Sequence, residues 1–273
     1  LCIAGGCGLN VSANGKVVLN NIFNKVMIPP APHDAGCCIG ASFLAQKEIN
    51  QNIKLSMPTP YLGRSYSDNE IIKSFKKKGL PVPKRNHEHD LIVNVVSVLV
   101  SGGVVAWFQG GSEFGPRALG NRSFLADPRF DTIRETINHK IKKRELFRPF
   151  APSCKEEVMG DYFKMNQQSP YMNVVAKVRK SKQDIIPAVV HIDNTARVHT
   201  VNQNINPLYW QLLDHFESVT GVGVLLNTSL NIQEPIVENP DQAIDCFLRS
   251  STDCLAIGSF ICDDDWRRKA VLV

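Results

Sequence analysis

From Gly110 to Arg122 the chain reads Gly-Gly-Ser-Glu-Phe-Gly-Pro-Arg-Ala-Leu-Gly-Asn-Arg, directly after the apolar run 104–108. Glycines in that place let backbone amides approach a ligand, and Arg117 and Arg122 offer planar forks that match phosphate or carboxylate oxygens. Anion binding is the chemistry these letters suit; a polar surface loop with both arginines paired to Glu113 and Asp127 would use the same letters. Segment 138–152 adds Asn138, Lys142, Arg144 and Arg148. Asn138 and Lys142 are four apart and share a helix face. Arg148 precedes a proline, which favours extended backbone, and sits between Phe147 and Phe150. Lys142 and Arg148 are therefore the stronger site candidates of this segment, while Lys140, Lys143 and Arg144 on their own fit a solvated face.

Two further patches carry polar chemistry. Segment 191–199 holds His191, Arg197 and His199 and reads as a loop between strands. Its histidines lack helical metal spacing and suit structural roles, and Arg197 is either an anion clamp or a salt-bridge partner. After the apolar run 221–226 come Asn227, Thr228, Ser229 and Asn231, amides and hydroxyls suited to nucleotide or carbamoyl recognition, or equally to an Asx-turn. Near the start, Gly5, Gly6 and Asn10 belong to a glycine turn compatible with a phosphate at a helix start, although it matches neither the dinucleotide fingerprint nor a Walker A loop. Asp34 could be one metal ligand but suits a helix N-cap better.

The elements that must position these groups mix strands and helices without a strict βαβ period. Runs 104–108, 174–178, 188–192, 221–226 and 255–262 read as strands; 91–100, 208–218 and 239–249 read as helices, the last with cap, N1 proline and capping-box letters. Asp131 is expected to cap a helix carrying Ile133, Ile137 and Ile141 as one stripe, ended before Pro149. Short apolar elements at 1–4, 16–19 and 25–28 and a helix opening over 36–45 make a first block ending near Pro58 and Pro60. The following polar, basic stretch with Pro81 and Pro83 has linker composition.

With 43% apolar residues the 273-residue chain can bury a sizeable core, which excludes disorder. A net charge of +5 falls short of a dedicated nucleic-acid binder and fits anionic small molecules. The eight cysteines form no CxxC pair and are read as reduced thiols; with no membrane span or signal peptide visible, a cytoplasmic protein is expected. Leu1-Cys2-Ile3-Ala4 is already a buried-strand pattern, so the sequence reads as beginning inside a domain.

Together the segments 4–10, 33–36, 113–129, 138–152, 193–201, 225–237 and 253–260 resemble, in order and over nearly the whole chain, the ATP-dependent O-carbamoyltransferases of the nodulation-factor and aminoglycoside-antibiotic type. The run Phe114-Gly-Pro-Arg-Ala-Leu-Gly-Asn-Arg122 and the run 144–152 are its most specific parts. The resemblance implies an α/β fold: a remnant of an actin-like, threonylcarbamoyl-transfer-like domain over 1–63, a linker over 64–90, and a YrdC-like domain with a mixed twisted sheet over 91–273. It further implies that the YrdC-like domain makes carbamoyl adenylate from carbamoyl phosphate and ATP. The actin-like domain would then pass the carbamoyl group to a hydroxyl of a sugar or natural product beside a bound metal.

Carried over by motif, Arg117, Lys142, Arg148 and Arg197 would hold phosphates and the carbamoyl oxygen. Asn227 and Ser229 would contact the adenylate, and Arg122, Asn138, Arg144, Thr228, Asn231, Gly5, Gly6 and Asn10 would complete substrate and ATP binding. Asp34 would be one ligand of Fe2+ or another divalent metal in the full-length enzyme, with Mg2+ accompanying ATP. The family's histidine-bearing metal motif lies in a part of the actin-like domain that this sequence lacks. Asn194 stands where glycine is expected and Leu230 where an aromatic residue is expected. No membrane or nucleic-acid partner is expected, and a homo-oligomer is compatible. The competing readings are a threonylcarbamoyl-adenylate synthase for tRNA modification and a non-enzymatic RNA-binding module.

Overall fold

The computed structural model describes residues 1–54 and 59–271. Of the prolines expected to end the first block, Pro58 lies outside the described residues. Eight strands form one mixed sheet: β1 (Val104–Phe108), β2 (Arg122–Ala126), β3 (Ala151–Lys155), β4 (Val174–Lys177), β5 (Thr195–Val201), β6 (Val224–Ser229), β7 (Cys254–Ile257) and β8 (Phe260–Cys262), in the order β4-β5-β3-β6-β2-β1-β7-β8. β1 runs parallel to β7 and β3 to β5; every other junction is antiparallel. The α/β class with a mixed sheet is thus as expected.

The described residues also form ten α-helices: α1 (Val11–Leu19), α2 (Cys37–Ile49), α3 (Asp68–Lys77), α4 (Glu88–Val100), α5 (Thr132–Thr136), α6 (Met159–Tyr162), α7 (Lys180–Gln183), α8 (Pro207–Thr220), α9 (Pro240–Arg249) and α10 (Asp264–Val271). β1 touches both α4 and α9, and all five of its residues are buried, as a central strand covered on both faces requires. In α9 the Asn239–Gln242 capping box forms as the letters predicted, contributing about 1 kcal/mol, and Ile244 and Phe247 face the core.

Several expectations fail for identifiable reasons. Segment 188–192 is not a strand: Pro187 opens a 3-10 turn over Pro187–Val189, and its missing N–H suits a turn better than a ladder. Conversely, Arg197 and His199 stand in β5, an interior strand, and not in a loop. The stretch 64–90 carries α3, started by a Ser67–Glu70 capping box, and its Ile71 and Phe75 are buried in the main core. Burying two such side chains contributes on the order of 3–6 kcal/mol, more than a connecting segment supplies. Asp131 occupies the N-cap position of α5 but makes no capping bond. The helix does not run to Arg148 either. After one π turn (Ile137–Ile141) it stops at Lys143, whose φ of 48° is left-handed. Residues 1–4 form only a single bridge, Cys2 to Met27, and 16–19 belong to α1.

α1 lies directly on β4. Asn14 donates to the carbonyls of Gly8 and Asn173, and a Cβ on Gly15 would come within 2.2 Å of the Val175 carbonyl oxygen, so only glycine permits this approach. α2 is the opposite case, with none of its residues buried and with Leu44 and Ile49 exposed.

Candidate functional site

A side-chain period of two puts Asn227 and Ser229 of β6, Ala151 and Ser153 of β3, and Arg197 and His199 of β5 in adjacent columns of the sheet. At the end of these columns opens a cleft of about 930 Å³. Its walls come from Pro116 to Ala118 ahead of β2, the segment Phe147–Phe150, residues 190–193, and Val11 and Ser12 at the start of α1. Asn227, Thr228 and Ser229 contribute from the end of β6.

Arg117, Arg144 and Arg197 converge on this cleft, and among the described residues none of the three has a carboxylate within salt-bridge distance. Burial, with the charges of Arg117 and Arg144 beside it, pushes the Arg197 guanidinium down to about 9. Burial also lowers Arg117, and burial with neighbouring Arg148 lowers Arg144. Three mutually repelling cations in a concave, partly dry site stabilise whatever anion enters. The simple pairing of Arg117 with Glu113 or Asp127 does not occur. Glu113 accepts the backbone N–H groups of Leu119, Asn121 and Arg122, and Asp127 is paired with Arg129 at 2.6 Å.

Arg144 and Arg148 exchange the roles their positions suggest. Arg144 is half-buried, donates Nε to Asn138 Oδ1 at 2.8 Å and lies 5.0 Å from the Phe150 ring centre. Arg148 stands on the exposed rim and pairs with Glu145 at 2.8 Å. Asn138 is buried, and its amide nitrogen donates to the carbonyls of Leu146 and Arg148, so it shapes the wall and does not face the opening.

Lys142 and Arg122 are placed behind the cleft. The Lys142 ammonium, 3% exposed, donates to the carbonyl and hydroxyl of Ser229 and to the carbonyl and side-chain oxygen of Asn231. It thereby ties down the end of β6, and Asn231 is consumed in that tie. Burial lowers Lys142 to about 7. Arg122 is fully buried over the Phe108 ring at 3.8 Å, its guanidinium donating to the carbonyls of Gln109, Asn121, Arg64 and Gly110. A fork whose terminal nitrogens serve four carbonyls organises the glycine loop, and only its buried Nε–H has no partner among the described residues.

Gly5 and Gly6 do not line the cleft, and Asn10 caps α1 by accepting from Ala13. Asp34 is exposed in a 3-10 turn, and among the described residues no group of three or more His, Cys, Asp and Glu side chains could hold a metal. The donor set for an iron site is therefore not assembled by these residues. Asn194 keeps the left-handed backbone of a glycine position, with φ of 60°, which asparagine tolerates. Leu230 is fully buried.

Among the lining groups that escaped the sequence reading are Arg134, Phe147 as a surface in its own right, and Ile192. Phe147 is 83% exposed and Ile192 wholly so at the mouth, an apolar pair beside a cationic floor. An exposed phenylalanine next to an arginine–proline pair was the available signal for Phe147; no local signal marked Arg134 or Ile192.

The family model described as carbamoyltransferase C-terminus matches residues 96–264, and the one described as carbamoyltransferase N-terminus matches residues 1–43. Nodulation protein NolNO of Sinorhizobium fredii is 40% identical over 99% of this chain and 42% of its own length. The 3'-hydroxymethylcephem-O-carbamoyltransferase of Amycolatopsis lactamdurans is 36% identical over 99% of this chain and 49% of its own. The chain spans about half the length of the curated relatives it matches. Among solved structures, full-length HypF in its phosphate- and nucleotide-bound form aligns with 64% of this chain and 22% of its own at a TM-score of 0.45 and 18% identity.

Proposed function

Because this chain belongs to the carbamoyltransferase family, we propose that its arginine-lined cleft binds carbamoyl phosphate and ATP and forms carbamoyl adenylate. The observation that carries this reading is the convergence of Arg117, Arg144 and Arg197 with, among the described residues, no carboxylate within salt-bridge distance of any of them. Two phosphorylated substrates bring several negative charges into one site, and three fixed guanidinium groups offset that repulsion and the charge that develops during transfer.

In this reading water hydrolyses carbamoyl phosphate to carbamate and inorganic phosphate, and a carboxylate oxygen of the carbamate then attacks the α-phosphorus of ATP. Pyrophosphate departs as the new O–P bond forms. Asn227, Thr228 and Ser229 meet the acyl and adenylyl groups with hydrogen bonds, while Phe147 and Ile192 offer the purine an apolar wall. Mg2+ accompanies ATP as part of the substrate. Residues 1–63 are proposed as the end of the actin-like domain and 91–273 as the adenylate-forming unit. The carbamoyl group then passes to a hydroxyl of a sugar or natural product in the complete enzyme.

Carbamoyl-phosphate-dependent release of pyrophosphate from ATP, with isothermal titration of both ligands, tests the reading. Binding of both by the wild-type chain is expected, and loss of both in Arg197→Met. A folded sample that binds neither overturns it. Turnover with threonine and bicarbonate in place of carbamoyl phosphate would support a threonylcarbamoyl-adenylate synthase instead, and RNA affinity falling steeply with salt would support an RNA-binding module.

A further inference from the structure

Three side chains in consecutive strands form one buried hydrogen-bonded row that ends at the cleft. His199 Nδ1 of β5 meets Ser153 Oγ of β3 at 2.8 Å, and Asn227 Nδ2 of β6 donates to the same Ser153 Oγ at 3.0 Å. Ser153 and His199 are direct partners in the β3–β5 register, so the row is set by the sheet itself. All three residues are at most 1% exposed, and Asn227 also lines the cleft.

The row admits one orientation of the Asn227 amide. Asn227 Nδ2 also donates to the Ala118 carbonyl at 3.3 Å, and a carbonyl can only accept, so the amide nitrogen must stay on that side. Ser153 Oγ accepts from Asn227 and has one proton to give, with His199 Nδ1 and the Tyr209 hydroxyl both beside it as acceptors. Burial pushes the His199 imidazole down to about 3, so the ring is neutral and its Nδ1 can accept. The Tyr209 ring, stacked on His199 with centroids 6.2 Å apart, holds the imidazole in place.

The consequence falls on the other end of the amide. Asn227 Oδ1 is buried and has no hydrogen-bond partner among the described residues, although a buried acceptor left unpaired is costly. We infer that Ser153 and His199 are positioning residues that lock Asn227 with Oδ1 as an obligate acceptor, and that this oxygen selects the ligand by receiving an N–H from the carbamoyl nitrogen. The inference rests on the carbamoyl phosphate reading and deepens it: the site would distinguish a carbamoyl from an acetyl group of the same shape by its donor. The carbamoyl nitrogen is chosen over the purine amino group because Asn227 stands on the sheet beside Ser229 and Arg197, whereas the apolar surfaces suited to a base, Phe147 and Ile192, lie at the mouth.

Calorimetric titration of the 273-residue chain with carbamoyl phosphate, acetyl phosphate, ATP and inosine triphosphate tests it without any variant. The wild type should bind carbamoyl phosphate about 10- to 100-fold more tightly than acetyl phosphate and should not separate the two nucleotides. Ser153→Ala and His199→Phe, the latter keeping a ring against Tyr209, should bring the acyl phosphate ratio to within about three-fold while acetyl phosphate affinity is unchanged. A purely structural role would weaken both acyl phosphates together and leave their ratio intact, which overturns the positioning claim. Equal wild-type affinities overturn the inference and leave the proposed function standing, as does discrimination of ATP from inosine triphosphate alone, which would assign Oδ1 to the purine. Absence of binding of either acyl phosphate overturns the proposed function itself, and this inference with it.

Discussion

Asn138 and Arg144 are joined by a 2.8 Å hydrogen bond from the arginine Nε to the asparagine side-chain oxygen, so a buried neutral amide aims a cation at the cleft without cancelling its charge. A carboxylate in that place would orient Arg144 equally well and neutralise it. Asn138→Ala should therefore weaken phosphate binding by about ten-fold and cost about 1–3 kcal/mol of stability, since the Leu146 and Arg148 carbonyls lose their donor as well. Phosphate titration beside urea melts reads both effects. Unchanged phosphate affinity in a destabilised variant would show that Arg144 does not need this support.

Arg197 makes the opposite prediction for stability. A guanidinium held near Arg117 and Arg144 without a counter-charge strains the empty protein. Arg197→Met should leave the melting temperature equal to or above that of wild type when no anion is present. Wild type should gain about 2.7 kcal/mol at phosphate concentrations 100-fold above its Kd, and the variant should gain nothing. A variant that melts well below wild type in phosphate-free buffer would place an undetected partner on Arg197.

The elements that announce themselves by pattern were legible. β1, α4, α8 and α9 follow their apolar periods, and the Asn239 cap is where its letters put it. β2, β3 and β5 were not, because they fill strand positions with Arg122, Ser123, Ser153, Arg197 and His199, residues that read as loop. The same substitution of chemistry for hydrophobicity made the anionic preference of the site readable while hiding its geometry. Arg144 and Arg148 traded places because Lys142 N–H bonds the Ile137 carbonyl across five residues and Lys143 turns left-handed, so four-residue spacing no longer marks one face.

Arg122 should behave as part of the scaffold. Lysine keeps its charge but cannot serve the four carbonyls that the fork satisfies, nor stack on Phe108. Arg122→Lys should lose about 3 kcal/mol or more in urea unfolding. At low temperature, where the variant remains folded, its affinity for phosphate should stay within a few-fold of wild type. An affinity loss as deep as that of Arg197→Met, without loss of stability, would return Arg122 to the ligand site.

Lys142 links the end of β6 to pH. Its ammonium is buried among Ser229, Asn231 and the Phe124 ring, and burial lowers it to about 7 from the ordinary lysine value near 10.4. Between those values the unfolded chain holds a proton that the folded chain has released, so this group's contribution to stability is full above about 10.4 and is lost as pH falls through about 7. The slope is at most about 1.4 kcal/mol per pH unit. Thiols and tyrosines of the unfolded chain also titrate in that window, whereas burial raises the folded chain's Cys246 and Cys254 to about 12, so the informative quantity is the difference between wild type and Lys142→Met from pH 7 to 8.5. Wild type should become more stable relative to the variant as pH rises, while Lys140→Met and Lys143→Met, whose side chains are exposed, should show no such difference. Lys142→Met should also lower pyrophosphate release at every pH, because Ser229 and Asn231, though still bonded to each other, lose the buried donor that both accept from. Parallel stability curves for wild type and Lys142→Met would mean that the buried amine keeps its proton throughout, held by the four oxygens around it.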